Sequence, residues 1–170
     1  MNTSTRVLLV SLLSVAALAG CSKKVKEAPV ADTTPTTPTA PVATDDGVYG
    51  PEDLDTDACL RQRVIHFDFD QYTVKPEYQA VVACHAKYLR DRPSSRQNLE
   101  GHTDERGSRE YNMGLGERRG NAVSSALQGA GASATQLTVV SYGEERPVCT
   151  ESTEACWAQN RRVEIVYSAR

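Results

Sequence analysis

Residues 28–44 contain only Ala, Pro, Val, Thr and one Asp, with Pro29, Pro35, Pro38 and Pro41 recurring every few positions. Such a stretch cannot bury enough apolar surface to offset the entropy of ordering it. It therefore confines a cooperative fold to the residues that follow. Prolines favour an extended chain, so the roughly 35 residues ahead of the fold, at about 3.1 Å each, reach at most ~100 Å.

From about Ala58 periodic patterns begin. Residues 64–69 are rich in β-branched and aromatic side chains and read as a strand. Pro76 suits the first turn of a helix, and Tyr78, Val81, Val82, His85, Tyr88 and Leu89 share one helical face. His85 on that apolar face reads as a core histidine. Pro93 ends the element, and residues 97–102 form a second strand. The next helix opens between Ser108 and Asn112 and runs to about Gln128, with Tyr111, Leu115, Ala122, Val123, Ala126 and Leu127 as its apolar stripe. Gly129 and Gly131 stop it. Ser133-Ala134-Thr135-Gln136 has capping-box form. Residues 137–142 make a third strand, and Val163, Ile165 and Tyr167 alternate in a fourth. The order β-α-β-α-β-β predicts an α/β domain over residues 58–170, a two-layer sandwich with helices covering a four-stranded sheet.

The N-terminus reads as an address. One positive charge precedes an apolar run over residues 7–19, the length of a secretory signal and too short to span a bilayer. The run ends in Leu18-Ala19-Gly20-Cys21, which resembles the lipobox of bacterial lipoproteins. That resemblance implies a cleaved signal over residues 1–20, a triacylated Cys21 and a lipidated tether over residues 21–57. Several acyl chains anchor a protein stably where one does not. Ser22, where an Asp would signal inner-membrane retention, points to the outer membrane.

The formal charge of −3 argues against a nucleic-acid binder, which is normally basic. With Cys21 lipidated, Cys59, Cys84, Cys149 and Cys156 remain, an even number that suggests two disulfides in an exported chain. Three connectivities are possible, and the short loop favours Cys149 with Cys156 and leaves Cys59 with Cys84. No Cys-x-x-Cys or His-x-x-x-His spacing supports zinc or thiol redox chemistry, and no metal or cofactor is expected.

The densest polar cluster is Gly101-His102-Thr103-Asp104-Glu105-Arg106-Gly107-Ser108, followed by Tyr111-Asn112 and Leu115-Gly116-Glu117-Arg118-Arg119. Helical side chains lean toward the N-terminus, so Arg119 can reach back toward Asp104 at the helix start. Such a pair is either a structural ion pair or a grip for a zwitterion, with Asp104 taking an ammonium and Arg119 a carboxylate. Gly114, Gly116 and Gly120 lie inside this helix, each costing about 1 kcal/mol relative to Ala. They permit close helix-to-sheet packing or a close approach by ligand. No Gly-x-Ser-x-Gly or His-Glu-x-x-His motif accompanies the cluster, so a hydrolase is disfavoured.

The cluster resembles the peptidoglycan-binding motif of OmpA-like domains, and Glu105-Arg106-Gly107 with Leu115-Gly116-Glu117-Arg118-Arg119 is most similar to their peptidoglycan-associated lipoprotein (Pal) subgroup. Phe67-Asp68-Phe69-Asp70, Ser141-Tyr142-Gly143 and Asn160-Arg161-Arg162-Val163-Glu164 agree with it. The resemblance implies a mixed-sheet sandwich that is not an enzyme. It implies binding to the free end of meso-diaminopimelate in the peptidoglycan stem, through Asp104 and Arg119. Phe69 and Asp70 would form a wall, Asn112 and Leu115 the start of the second helix, and Arg161 and Arg162 the motif's last arginines. It further implies an outer-membrane lipoprotein facing the periplasm, with the β-propeller TolB and TolA as partners in cell division. The alternative is an OmpA-like lipoprotein outside the Tol–Pal system. A flagellar stator protein of this superfamily would need a membrane span. The four domain cysteines depart from the family pattern.

Overall fold

A computed structural model describes residues 47–170. The signal segment, Cys21 and the proline-rich stretch lie outside the described residues. Four strands form one mixed sheet: β1 (Val64–His66), β2 (Arg96–His102), β3 (Leu137–Gly143) and β4 (Arg162–Ala169), in spatial order β1-β4-β2-β3. β4 runs antiparallel to both neighbours, and β2 pairs parallel with β3. A parallel pair needs a crossover, which α3 (Arg109–Gly129) supplies. Short α1 (Asp53–Thr56), α2 (Gln79–Asp91) and short α4 (Glu154–Asn160) complete the set.

The four strands and the two long helices follow one another as expected, but short α1 precedes β1 and short α4 stands between β3 and β4, where the sequence suggested no helix. Local chemistry explains the shared boundaries. Pro76 opens a 3-10 turn (Pro76–Tyr78) that runs into α2. The Ser108 hydroxyl accepts from the Tyr111 amide at the start of α3. The capping box at Ser133 and Gln136 is present. Gly131, at φ +101°, reverses the chain after α3 where a side chain would be strained. β1 is shorter than the expected 64–69, because after the Phe67 amide bonds to the Arg161 carbonyl the chain turns at Asp68.

The core lies between the sheet and α2 with α3. Ile65, Phe67, Leu99, Val163 and Ile165 meet Val82, Ala86, Leu89, Val123 and Leu127. The buried side of α3 is unlike the expected apolar stripe. Tyr111 is exposed, and Asn112, Gly116, Arg119 and Gly120 are buried beside Leu115, Val123 and Leu127. Glycines let α3 lie directly on β2, where a Cβ on Gly116 would stand 2.9 Å from the Gly101 carbonyl oxygen.

A second apolar cluster joins Tyr49, Leu54, Leu60 and Tyr88. The Tyr49 amide donates to Asp91, 3.0 Å away. The packed region thus begins by Tyr49, ahead of the boundary expected at residue 58. The cue lay in two isolated apolar residues, too few to show a period. His85 is fully buried. Its Nε2 donates to the Gln62 carbonyl, so its Nδ1 accepts from the Tyr167 hydroxyl at 2.7 Å. Burial lowers its pKa to about 4. Both disulfides pair as favoured, Cys59 with Cys84 and Cys149 with Cys156.

Candidate functional site

The C-terminal end of β2 and the N-terminal end of α3 frame a cleft of about 200 Å³. Phe69 and Asp70 border it from the loop after β1, Thr103, Asp104, Arg106 and Gly107 from the loop after β2, and Tyr111, Asn112, Leu115 and Arg119 from α3. Six of the eight residues singled out from the sequence meet here: Asp104, Arg119, Phe69, Asp70, Asn112 and Leu115.

Asp104 is buried and heavily coordinated. Its Oδ1 accepts from the Arg106 backbone amide and Nε, both at 3.1 Å, and its Oδ2 from Arg106 Nη2 at 2.8 Å and Arg161 Nη1 at 3.2 Å. The amide contact is an Asx turn, a local geometry Asp favours. Burial pushes this carboxyl up, but the bonds from Arg106 and Arg161 outweigh it and hold the group below the usual carboxylate range.

The expected close pairing of Asp104 with Arg119 is not what forms. Arg106, two residues along the same loop, reaches Asp104 first, and Arg161 reaches it from the turn between α4 and β4. Arg119, fully buried, instead donates to three backbone carbonyls: Nε to Gln71 at 2.8 Å, Nη1 to His102 at 2.8 Å and Nη2 to Asp68 at 3.2 Å. It makes no ion pair among the described residues. Burial lowers its pKa to about 10, so it stays cationic at neutral pH. The site therefore holds a buried positive charge, bordering a cleft, with neutral carbonyls as its bonded partners.

The walls are aromatic and tied down. The Arg106 guanidinium lies 4.1 Å from the ring centres of both Phe69 and Trp157. Trp157 Nε1 donates to Glu105 at 3.1 Å, and the Cys149–Cys156 bridge leads into the helix that carries Trp157. Asp70 takes a left-handed conformation, φ +57°, which Asp tolerates better than most residues, and accepts from the Tyr111 hydroxyl. The Asn112 amide group bridges the Arg106 carbonyl and Glu144.

The two remaining arginines stand apart from the cleft. Arg161 lies behind Asp104, bonded also to Glu154 at 2.7 Å and the Phe67 carbonyl at 3.1 Å. Arg162 pairs with Glu164 two residues along β4 and is not among the cleft residues. Arg106 and Trp157 escaped the sequence reading as site residues. Arg106 stood inside the motif without a role, and nothing local marks Trp157, since α4 was not anticipated.

The profile of the OmpA family matches residues 66–161. A peptidoglycan-associated lipoprotein of Pseudomonas aeruginosa is 51% identical over 113 residues, 66% of this chain and 67% of that protein. One from Pasteurella multocida is 40% identical over 121 residues, 71% of this chain and 78% of that protein. The crystal structure of the peptidoglycan-associated lipoprotein from Burkholderia pseudomallei superposes with a TM-score of 0.67 at 44% identity, covering 68% of this chain and 98% of that one.

Proposed function

The chain belongs to the OmpA family, among the peptidoglycan-associated lipoproteins, and we propose that it binds peptidoglycan non-covalently through the free end of meso-diaminopimelate. The observation that carries this reading is Arg119, a buried guanidinium bonded to carbonyls and bordering an open cleft. A ligand carboxylate would supply the missing anion through charge-assisted bonds. The ligand ammonium would take the place on Asp104 that Arg106 holds in the free protein. Arg106, between Phe69 and Trp157, would then close over the stem peptide. The proposed role is that of a binding module, in keeping with relatives named for their association with peptidoglycan.

In the cell the domain would be fixed to the outer membrane through a lipidated Cys21 and face the periplasm. It would hold the membrane to the wall, with a TolB-like propeller and TolA as partners during division. No helix among the described residues is long and apolar enough to cross a membrane.

The test is co-sedimentation of residues 47–170 with purified sacculi, with free meso-diaminopimelate as competitor. Wild type should pellet and be displaced by the amino acid. Asp104→Asn and Arg119→Lys, verified as folded, should stay in the supernatant. Amidating the diaminopimelate carboxylate should weaken binding about 10- to 100-fold, the loss of one charged hydrogen-bonded contact of ~1.5–3 kcal/mol. Equal binding of amidated and free stems would refute the role given to Arg119.

A further inference from the structure

We propose that Glu100, His102 and Glu164 form a binding site for a divalent transition-metal ion of the Zn²⁺ type, on the sheet face opposite the helices. On β2, Leu99 and Gly101 face the core and α3, so the two-residue alternation turns Glu100 and His102 to the other side. β4 obeys the same rule, with Val163 and Ile165 inward and Glu164 outward. The antiparallel register sets Glu100 directly across from Glu164. One ligand atom from each of the three residues lies within 4.8 Å of the others.

Two observations point to unfilled bonding capacity in this group, although the His102 ring stacks on Tyr142 with centroids 5.5 Å apart. The first is His102, whose side chain is 2% exposed and whose two ring nitrogens both have no hydrogen-bond partner among the described residues. Its Nε2 faces Glu164 Oε1 at 4.0 Å, too far for a hydrogen bond. Buried polar atoms are nearly always satisfied, so an imidazole orphaned at both nitrogens and aimed at carboxylates calls for an explanation. The second is the pair of glutamates. Like charges directly opposite on neighbouring strands repel. Arg162 offsets Glu164 alone, with Nε at 2.7 Å and Nη2 at 2.6 Å from the same Oε1, leaving Oε2 available. The Glu100 side chain makes no hydrogen bond or ion pair among the described residues.

The donor set selects the ion. Imidazole suits zinc and its neighbours, while magnesium and calcium prefer oxygen alone. Bonds of about 2.0–2.2 Å would place tetrahedral donors roughly 3.4 Å apart. Rotation of the two half-buried glutamate side chains closes the difference. Water on the open face of the sheet fills the fourth position. The ion would cross-brace β2 and β4 behind the cleft, at the residue whose carbonyl holds Arg119 Nη1.

The test uses the tag-free full chain in detergent with Cys21→Ser, which leaves only disulfide-bonded cysteines. Zn²⁺ is titrated against a chromophoric chelator. One equivalent should bind, and Glu100→Gln and His102→Gln should each weaken it at least about tenfold, as loss of a ligand must cost no less than loss of its supporting contacts. The half-buried Glu100 side chain forms no hydrogen bond or ion pair on which the fold depends, so its variant should keep the metal-free melting temperature and remain informative if the His102 variant misfolds. A zinc edge anomalous peak between the three side chains in soaked crystals would agree. No binding by wild type, or binding unchanged in Glu100→Gln, would overturn the assignment.

Discussion

Two glycines two residues apart in α3 should respond to alanine with opposite signs. At Gly116 an added Cβ would overlap the Ser141 hydroxyl and stand 2.9 Å from the Gly101 carbonyl oxygen. Ser141 has no freedom to yield, because its Oγ donates to the Met113 carbonyl at 2.7 Å and accepts from the Gly143 amide at 3.3 Å. The helix must lift from β2, and overpacking of this kind costs about 1–3 kcal/mol. The gain in helix propensity from Gly to Ala returns about 1 kcal/mol. The net for Gly116→Ala is therefore a loss of up to ~2 kcal/mol, which for a domain of this size lowers the melting temperature by up to roughly 8 °C. At Gly114 the nearest atom to an added Cβ is Arg118 Nη1 at 3.4 Å, the mobile end of a surface side chain. There only the propensity gain operates, and Gly114→Ala should raise the melting temperature by about 4 °C. The assay is thermal unfolding of residues 47–170 followed by far-UV circular dichroism, with both variants beside wild type. Gly116→Ala should also weaken sacculus binding, because α3 carries Asn112, Leu115 and Arg119 into the cleft. If both variants shift the melt in the same direction, the close approach of α3 to β2 at Gly101 is wrong.

His85 makes stability depend on pH. Its pKa lies near 4 in the folded protein against an ordinary 6.5, so the unfolded chain takes the proton first as pH falls. Stability is complete above about pH 6.5 and declines toward pH 4 by on the order of 3 kcal/mol, a slope that His85→Gln should reduce in melts across that range. The Cys59–Cys84 bridge ties the segment before β1 to α2 across a separation of 25 residues. Replacing both by Ser should cost about 3.5 kcal/mol in the chain-entropy view, readable as a lower denaturant midpoint, whereas an unchanged midpoint would mean the unfolded chain was already constrained there.

Much of the fold was legible in the sequence because its signals are local. Proline 76, the serine cap at 108, the box at Ser133 and the alternation of Val163, Ile165 and Tyr167 each act through neighbours within a few residues. α4 went unseen because its seven residues give too little periodicity to mark a helix. The start of the domain was set too late because Tyr49 and Leu54 are buried by Tyr88 and Leu60, partners distant in sequence from Tyr49.

The same division runs through the site. The sequence by itself determined which chemical groups gather at one end of the sheet, because Gly107, Ser108 and the helix they open put Asp104, Asn112, Leu115 and Arg119 within one loop and two turns. Only the tertiary structure decided who bonds to whom. Arg161 comes from the turn between α4 and β4 to share Asp104 with Arg106, and the loop after β1 brings the carbonyls of Asp68 and Gln71 to Arg119. Likewise, the facing of Glu100, His102 and Glu164 follows from the β2–β4 register. That register is a product of packing Leu99 and Ile165 into one core, and a shift of one residue would turn every one of these side chains to the opposite face.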